Sequence, residues 1–233
     1  MIRAAIFDKD GTLFHFTSSW GAWTQAVLQR LTIDEETSRD LAHILGFDPK
    51  SGTFLPSSIV IAHSTPEIAQ VIAGHLGRSD VDILASELAE LSLTCPMVPA
   101  ADLPQTFRSL RAAGLRIGLA TNDTEDPARH HLSGAGILGQ FDFVAGCDSG
   151  WGGKPAPGQL LAFAKFCKID PSEIVMVGDS VHDMVAAKAA GMVGLAVLTG
   201  IASEDDLLPH CDAVLADIAL LPDWILAQNR PFA

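Results

Sequence analysis

Ile6-Phe7-Asp8-Lys9-Asp10-Gly11-Thr12-Leu13 decides how the rest of the chain reads. The apolar run Ala4-Ala5-Ile6-Phe7 has the length and character of a buried strand in a parallel sheet. It ends on a carboxylate, and a second carboxylate follows two positions on. Side chains alternate along a strand, so Asp8 and Asp10 leave the sheet end on the same side. Gly11 lets the backbone turn sharply away. Open parallel sheets bind ligands at their carboxyl ends. Two carboxylates converging there suit a hard divalent cation and phosphate chemistry. The same composition also occurs in plain acidic turns. A calcium loop begins in a similar way but needs further acidic ligands and a Glu at its twelfth position. Thr12 to Ser19 supply none.

The strand opens a chain of 233 residues, 48% hydrophobic and 18% charged, enough for one domain or a domain with an insertion. The net charge of −13 opposes binding to nucleic acid or an anionic membrane. It also opposes a phosphorylated metabolite, so phosphate binding requires local positive charge from a metal, a lysine or helix N-termini. Cys95, Cys147, Cys167 and Cys211 are widely spaced with no C-x-x-C, which argues against zinc and for reduced, buried thiols in the cytosol. Met1 runs almost directly into the first strand, without a secretory signal, and no apolar run approaches membrane-span length. The expected location is cytoplasmic, with no protein partner indicated.

Onward from the first motif, residues 14–17 read as a short exit, and Ser18 or Ser19 as the cap of a helix through Leu31. Thr32-x-x-Glu35 suggests a capping box for a second helix ending near Gly46. Residues 46–57 read as loop, and residues 58–63 are left unassigned. Thr65-Pro66-Glu67 starts another helix, with Ile68, Val71, Ile72 and Leu76 inward and Gly77 as its stop. Ser79 caps a fourth helix with Val81, Leu84, Leu88 and Leu91 aligned. Residues 18–95 thus form a small all-helical unit, closed by the stiff linker Cys95-Pro96-Met97-Val98-Pro99.

The pattern then changes. Strands at 115–120, 143–146, 173–177, 193–198 and 213–215 alternate with helices at 102–113, 125–133, 157–168 and 181–190, and a last helix follows. This is an α/β fold, a Rossmann-like parallel sheet with helices on both faces. Residues 1–17 and 96–233 make that core, and 18–95 is an insertion at its ligand-binding end, placed to act as a lid.

Other strands also end on polar residues. Thr121-Asn122-Asp123 offers a hydroxyl and backbone N–H groups for a phosphate, or equally a helix cap. Gly150-Trp151-Gly152-Gly153-Lys154-Pro155 sets one lysine in a glycine-rich loop, where it either solvates or reaches a ligand. Val177-Gly178-Asp179-Ser180-Val181-His182-Asp183 ends a strand on Gly-Asp, with a second Asp one helical turn later. Asp179 or Ser180 could instead cap the helix, with Asp183 complementing its dipole in the first turn.

D-x-D-G-T, a strand-terminal Thr, Lys-Pro and G-D-S-x-x-x-D, in this order, resemble the haloacid dehalogenase superfamily, most of all its phosphoglycolate-phosphatase-like branch. The helical insertion resembles that superfamily's cap. The resemblance implies a phosphatase acting on a small phosphorylated metabolite. Asp8 would attack phosphorus, and Asp10 would serve as general acid and then base. Mg²⁺ would be held by Asp8, the Asp10 carbonyl and Asp179, while Asp183 orients a metal-bound water or Lys154. Thr121, the Asn122 N–H and Lys154 would bind the phosphoryl oxygens.

Asp10 disfavours a dehalogenase, which would lack that acid. Ion-pumping ATPases carry Thr there and are far larger. Lys50, the only lysine between residues 18 and 94, lies in a loop and disfavours a phosphonatase. A sugar-phosphate mutase keeps every motif, and a non-catalytic phosphate-binding regulator would have no need of Asp10. Leaving-group specificity should come from the cap together with Phe14, His15, Phe16, Trp20 and Trp23, although the two Trp read as cap core before substrate walls. Against ten acidic residues the cap has only Arg30, Arg39, Lys50 and Arg78, so no anion pocket is evident. His43, His63 and His75 are the remaining candidates for such a pocket.

Overall fold

The computed structural model describes residues 1–230, apart from the side chain of Ala62. Six parallel strands form one sheet: β1 (Ala4–Phe7), β4 (Arg116–Ala120), β5 (Phe143–Ala145), β6 (Ile174–Gly178), β7 (Val193–Val197) and β8 (Ala213–Leu215). Their order is β5-β4-β1-β6-β7-β8, with β1 in the middle. All four residues of β1 are buried, as its continuous apolar run requires. Phe7 lies opposite Leu119 on one side and Val177 on the other. Asp8, Thr121 and Asp179 therefore emerge on one rim, one or two residues past that register.

Alternation within the strands divides two cores. Ala5, Phe7, Leu119, Val175 and Val177 pack on the face covered by α6 (Leu103–Ala112), α7 (Glu125–Gly134) and α11 (Leu221–Gln228). Ala4, Ile6 and Met176 pack on the other, against α8 (Gly158–Cys167) and α9 (Val181–Ala190). Gly118 is the close-approach point on that face, because a Cβ there would meet the Phe163 ring at 2.7 Å. A short helix, α10 (Glu204–Leu207), precedes β8. The α/β class and the alternating order expected from the sequence are the observed ones.

A separate apolar core belongs to the inserted segment. It contains α1 (Phe16–Leu31), α2 (Glu35–Ile44), β2 (Phe47–Asp48), β3 (Thr53–Phe54), α3 (Ile59–Ala62), α4 (Thr65–Leu76) and α5 (Val81–Leu93). Two crossings join it to the sheet unit, and they lie side by side. Phe14 bridges Pro99, His15 N donates to the Val98 carbonyl at 2.8 Å, and Ala100 N donates to the Leu13 carbonyl at 2.9 Å.

Several local expectations need correction. The helix α1 starts at Phe16, not after Ser18 or Ser19, so residues 16 and 17 are helical instead of an exit loop. Ser19 is buried, and its hydroxyl accepts from Val98 N on the returning linker. Asp34, not Thr32, caps α2 by accepting from Thr37 N, while Thr32 bonds back to the Leu28 carbonyl. Asp80, not Ser79, holds the N-cap position of α5.

Residues 46–57 contain the β2–β3 hairpin instead of plain loop. Phe47 and Phe54 pack tilted at 45° with centroids 4.9 Å apart, and Gly52 turns with φ +71. Val71, expected inward, is 38% exposed; α4 buries Ile68, Ala69, Ile72 and Ala73, so alanines widen its inner face. All four cysteines are free as expected, but only Cys95 is buried. No helix among the described residues is long and apolar enough to cross a membrane.

Candidate active site

Three βα loops meet over the end of β1. Asp8 follows β1, Thr121-Asn122-Asp123 follows β4, and Asp179 follows β6. Carboxylate oxygens of Asp8, Asp179 and Asp183 lie within 4.8 Å of one another, and all three residues are buried. Lys154 reaches in from the glycine-rich loop. Its Nζ is 2.5 Å from Asp8 Oδ1 and 2.7 Å from Asp183 Oδ1.

Backbone and caps fix each group. Gly11 turns with φ +86, and its carbonyl accepts from the Thr199 hydroxyl at 2.6 Å. A Cβ on Gly11 or on Gly200 would overlap the Asp179 carboxylate, so both glycines make room for it. Asp183 sits at the third position of a capping box on α9, where its Oδ2 accepts from Ser180 N at 3.1 Å and Ser180 Oγ at 2.6 Å. One carboxylate thus caps the helix and holds Lys154. The Asn122 side chain clamps the Lys154 peptide from both sides: Oδ1 accepts from Lys154 N at 2.8 Å and Nδ2 donates to its carbonyl at 2.9 Å. Thr121 is buried, and its hydroxyl accepts from Asp123 N. The N-cap of α7 is Thr124, so neither Thr121 nor Asp123 takes the capping position.

The charge balance is negative. Burial, the largest cause, pushes Asp8 up to about 7; Lys154 opposes the shift, while Asp183 and Asp10 add to it. Burial, with Asp8 and Asp183 beside it, holds Asp179 well above the usual carboxylate range. Burial works against the Lys154 ammonium, but Asp183 and Asp8 together outweigh it and keep the group charged. A divalent cation would relieve this excess. The buried, all-oxygen donor set fits a hard ion such as Mg²⁺.

A second buried cluster lies behind the first and was not anticipated from the sequence. Lys9 has no exposed surface. Its Nζ contacts Asp10 at 3.0 Å, Asp123 at 3.0 Å and His131 Nδ1 at 3.1 Å, and it stands 5.3 Å from the Trp20 ring centroid. An ammonium has only donors, so His131 Nδ1 accepts and its Nε2–H donates to the Ser92 carbonyl on α5, at 2.7 Å. Burial, helped by Lys9, lowers the His131 pKa and keeps the ring neutral. Lys9 was discoverable in principle. It shares strand parity with Ala5 and Phe7, so it points toward α7, and a lysine closing a buried strand needs partners.

Between the rim and the inserted unit is a chamber of about 50 Å³. Asp8, Asp10, Thr121, Asn122 and Lys154 line its floor. Phe16, Trp20, Trp23, Val60, Ile61 and Ile68 line its roof. The two Trp are cap core and chamber wall at once. Of the three cap histidines considered, His63 is the one that reaches the chamber lining.

These observations define a hydrolase fold with its ligand site under a helical roof. Residues 2–191 match the family model of the haloacid dehalogenase-like hydrolases, and the chain belongs to that family. It is 30% identical to the phosphoglycolate phosphatase of Rhodospirillum rubrum, over 97% of this chain and 91% of that one. Several solved structures share the fold. The β-phosphoglucomutase of Clostridium difficile has TM-score 0.67 and 19% identity, covering 98% of this chain and 96% of that one. The L-2-haloacid dehalogenase of Xanthobacter autotrophicus has TM-score 0.67 and 20% identity, covering 99% and 100%.

Proposed function

We propose that this chain is a Mg²⁺-dependent phosphatase that hydrolyses a small phosphorylated metabolite through an aspartyl-phosphate on Asp8. The supporting observation is the convergence of Asp8, Asp179, Asp183 and Lys154 on one rim. The name carried by relatives such as the Rhodospirillum rubrum protein supports monoester hydrolysis.

In this reading Asp8 attacks phosphorus in line, and the ester oxygen leaves as it takes a proton from Asp10. Asp10 then removes a proton from the water that opens the acyl phosphate. Lys9 holds the Asp10 carboxylate from behind. Lys154, together with Thr121 and the Asn122 N–H, balances charge on the phosphoryl oxygens of a loose transition state. Asp183 keeps Lys154 aimed. Asp8, Asp179 and the Asp10 carbonyl would hold Mg²⁺, which supplies charge neutralisation and keeps Asp8 ionised.

A mutase is the second reading, because it would keep every residue of this site and a β-phosphoglucomutase shares the fold. A non-catalytic regulator would leave Asp10 only its ion pair with Lys9. The test is hydrolysis of p-nitrophenyl phosphate with and without Mg²⁺, in wild type and Asp8→Asn. Metal-dependent turnover that vanishes in the variant is expected, whereas wild-type turnover in Asp8→Asn would refute the covalent route. Slow hydrolysis with interconversion of sugar phosphates would favour the mutase.

A further inference from the structure

The chamber's roof and floor differ in kind. The floor carries Asp8, Asp10 and Asp123, and Lys154 is already shared between Asp8 and Asp183. The roof is aromatic and aliphatic. Among the described residues, Lys154 is the only Lys or Arg lining this space. Arg78, a basic residue of the cap, is engaged by Asp80 and Glu87. His63 and His182 stand exposed at the rim. A carboxylate on the leaving group would therefore enter an apolar roof with no lysine or arginine there to meet it, the rim histidines His63 and His182 being its sole candidate partners among the described lining residues. Burying an unpaired charge is strongly unfavourable.

Within that roof one polar atom lacks a partner. The Trp20 indole N–H is buried and has no acceptor among the described residues. Buried donors are nearly always paired, so an orphan beside a ligand chamber marks an acceptor supplied from outside the chain. The indole is packed on several sides. Lys9 lies over its ring, Trp23 packs edge-on with centroids 5.0 Å apart, and Phe16 stacks at 6.5 Å.

Building on the phosphatase reading above, we propose that Trp20 is a specificity residue whose indole N–H donates to the leaving group. That leaving group is a small uncharged alcohol bearing one hydrogen-bond-accepting oxygen. Glycolate, with its carboxylate, is disfavoured.

The test uses the full chain with Mg²⁺ and three matched monoesters. 2-Hydroxyethyl phosphate is neutral beyond the phosphate and carries the oxygen, propyl phosphate lacks it, and 2-phosphoglycolate replaces it with a carboxylate. Acetyl phosphate, whose weakly basic leaving group departs without help from a specific contact, reports phosphoryl transfer itself. The expected kcat/KM order places 2-hydroxyethyl phosphate about tenfold above propyl phosphate, with 2-phosphoglycolate the poorest. In Trp20→Phe, which keeps a ring but removes the donor, the ratio of the first two should fall close to one. Turnover of acetyl phosphate with 2-phosphoglycolate preferred overturns this proposal alone, as does an unchanged ratio in Trp20→Phe. Failure to turn over acetyl phosphate overturns the phosphatase reading and this proposal with it. If Trp20→Phe does not fold, the wild-type ranking decides.

Discussion

Lys9 keeps a full charge with none of its surface in water, because Asp10 and Asp123 flank it and His131 offers a lone pair. Burial opposes that charge and the two carboxylates restore it, so its pKa lies above the usual lysine value. Removing one partner of a buried ionic group leaves the others uncompensated, at a cost of about 3–5 kcal/mol. Lys9→Met should therefore lower the thermal midpoint by roughly 10 °C, measured calorimetrically. A change within experimental error would show that the cluster relaxes onto water. Asp10→Asn tests the chemical role and should cripple steady-state turnover while metal binding, followed by titration calorimetry, largely survives. Gly200 is a subtler case. Its missing Cβ is room for the Asp179 carboxylate, so Gly200→Ala should raise the Mg²⁺ concentration for half-maximal activity by about tenfold.

Among the elements, α9 joins stability to the site most directly. Ser180 and Asp183 satisfy each other across its first turn, and Asp183 also holds Lys154. Ser180→Ala should cost about 1 kcal/mol in urea unfolding and, by loosening Asp183, also lower kcat. An intact kcat at reduced stability would separate the cap from the chemistry. The strands around this helix were legible because each is a short apolar run that stops on Asp, Thr or Gly-Asp, and that polar stop is also the rim residue. Asp8, Thr121 and Asp179 could thus be named from the chain before their contacts were known, whereas Lys154 was read from its glycine-rich loop and Asp183 from its place one helical turn after Asp179. The inserted unit was less legible. Serines and threonines near a helix start compete as caps, and tertiary packing decides: Ser19 bonds to the return linker while Asp34 and Asp80 take the cap positions. The Phe47 and Phe54 pair flanking Gly52 signalled a hairpin, but turn-forming neighbours masked it. The Lys9–His131 contact spans 122 positions, and no local pattern encodes a pair so distant.

For the whole molecule, the clustered carboxylates couple stability to pH and to metal. Asp8 titrates near 3.8 when unfolded and is pushed up to about 7 when folded, and Asp179 is raised in the same direction. A raised carboxylate binds its proton more tightly in the folded state. It destabilises the fold above about pH 7, and that penalty fades as pH falls toward 3.8. Without divalent cation, the unfolding midpoint should therefore be higher at about pH 6 than at about pH 8. Mg²⁺ competes with those protons, so its stabilisation should be larger at about pH 8, as thermal scans at both values would show. An equal or smaller gain there would mean the ion does not bind at these carboxylates.

The paired crossings between Leu13–His15 and Val98–Ala100 carry one more implication. Because departure and return are zipped together, the sheet sees the whole excursion as a loop of almost no span, whatever is built beyond it. A foreign roof could be spliced between those two hydrogen-bonded segments without re-registering a single strand. Leaving-group choice is then separable from reaction chemistry as long as the new roof keeps a ring over Lys9 and an acceptor for His131, as Trp20 and the Ser92 carbonyl provide here.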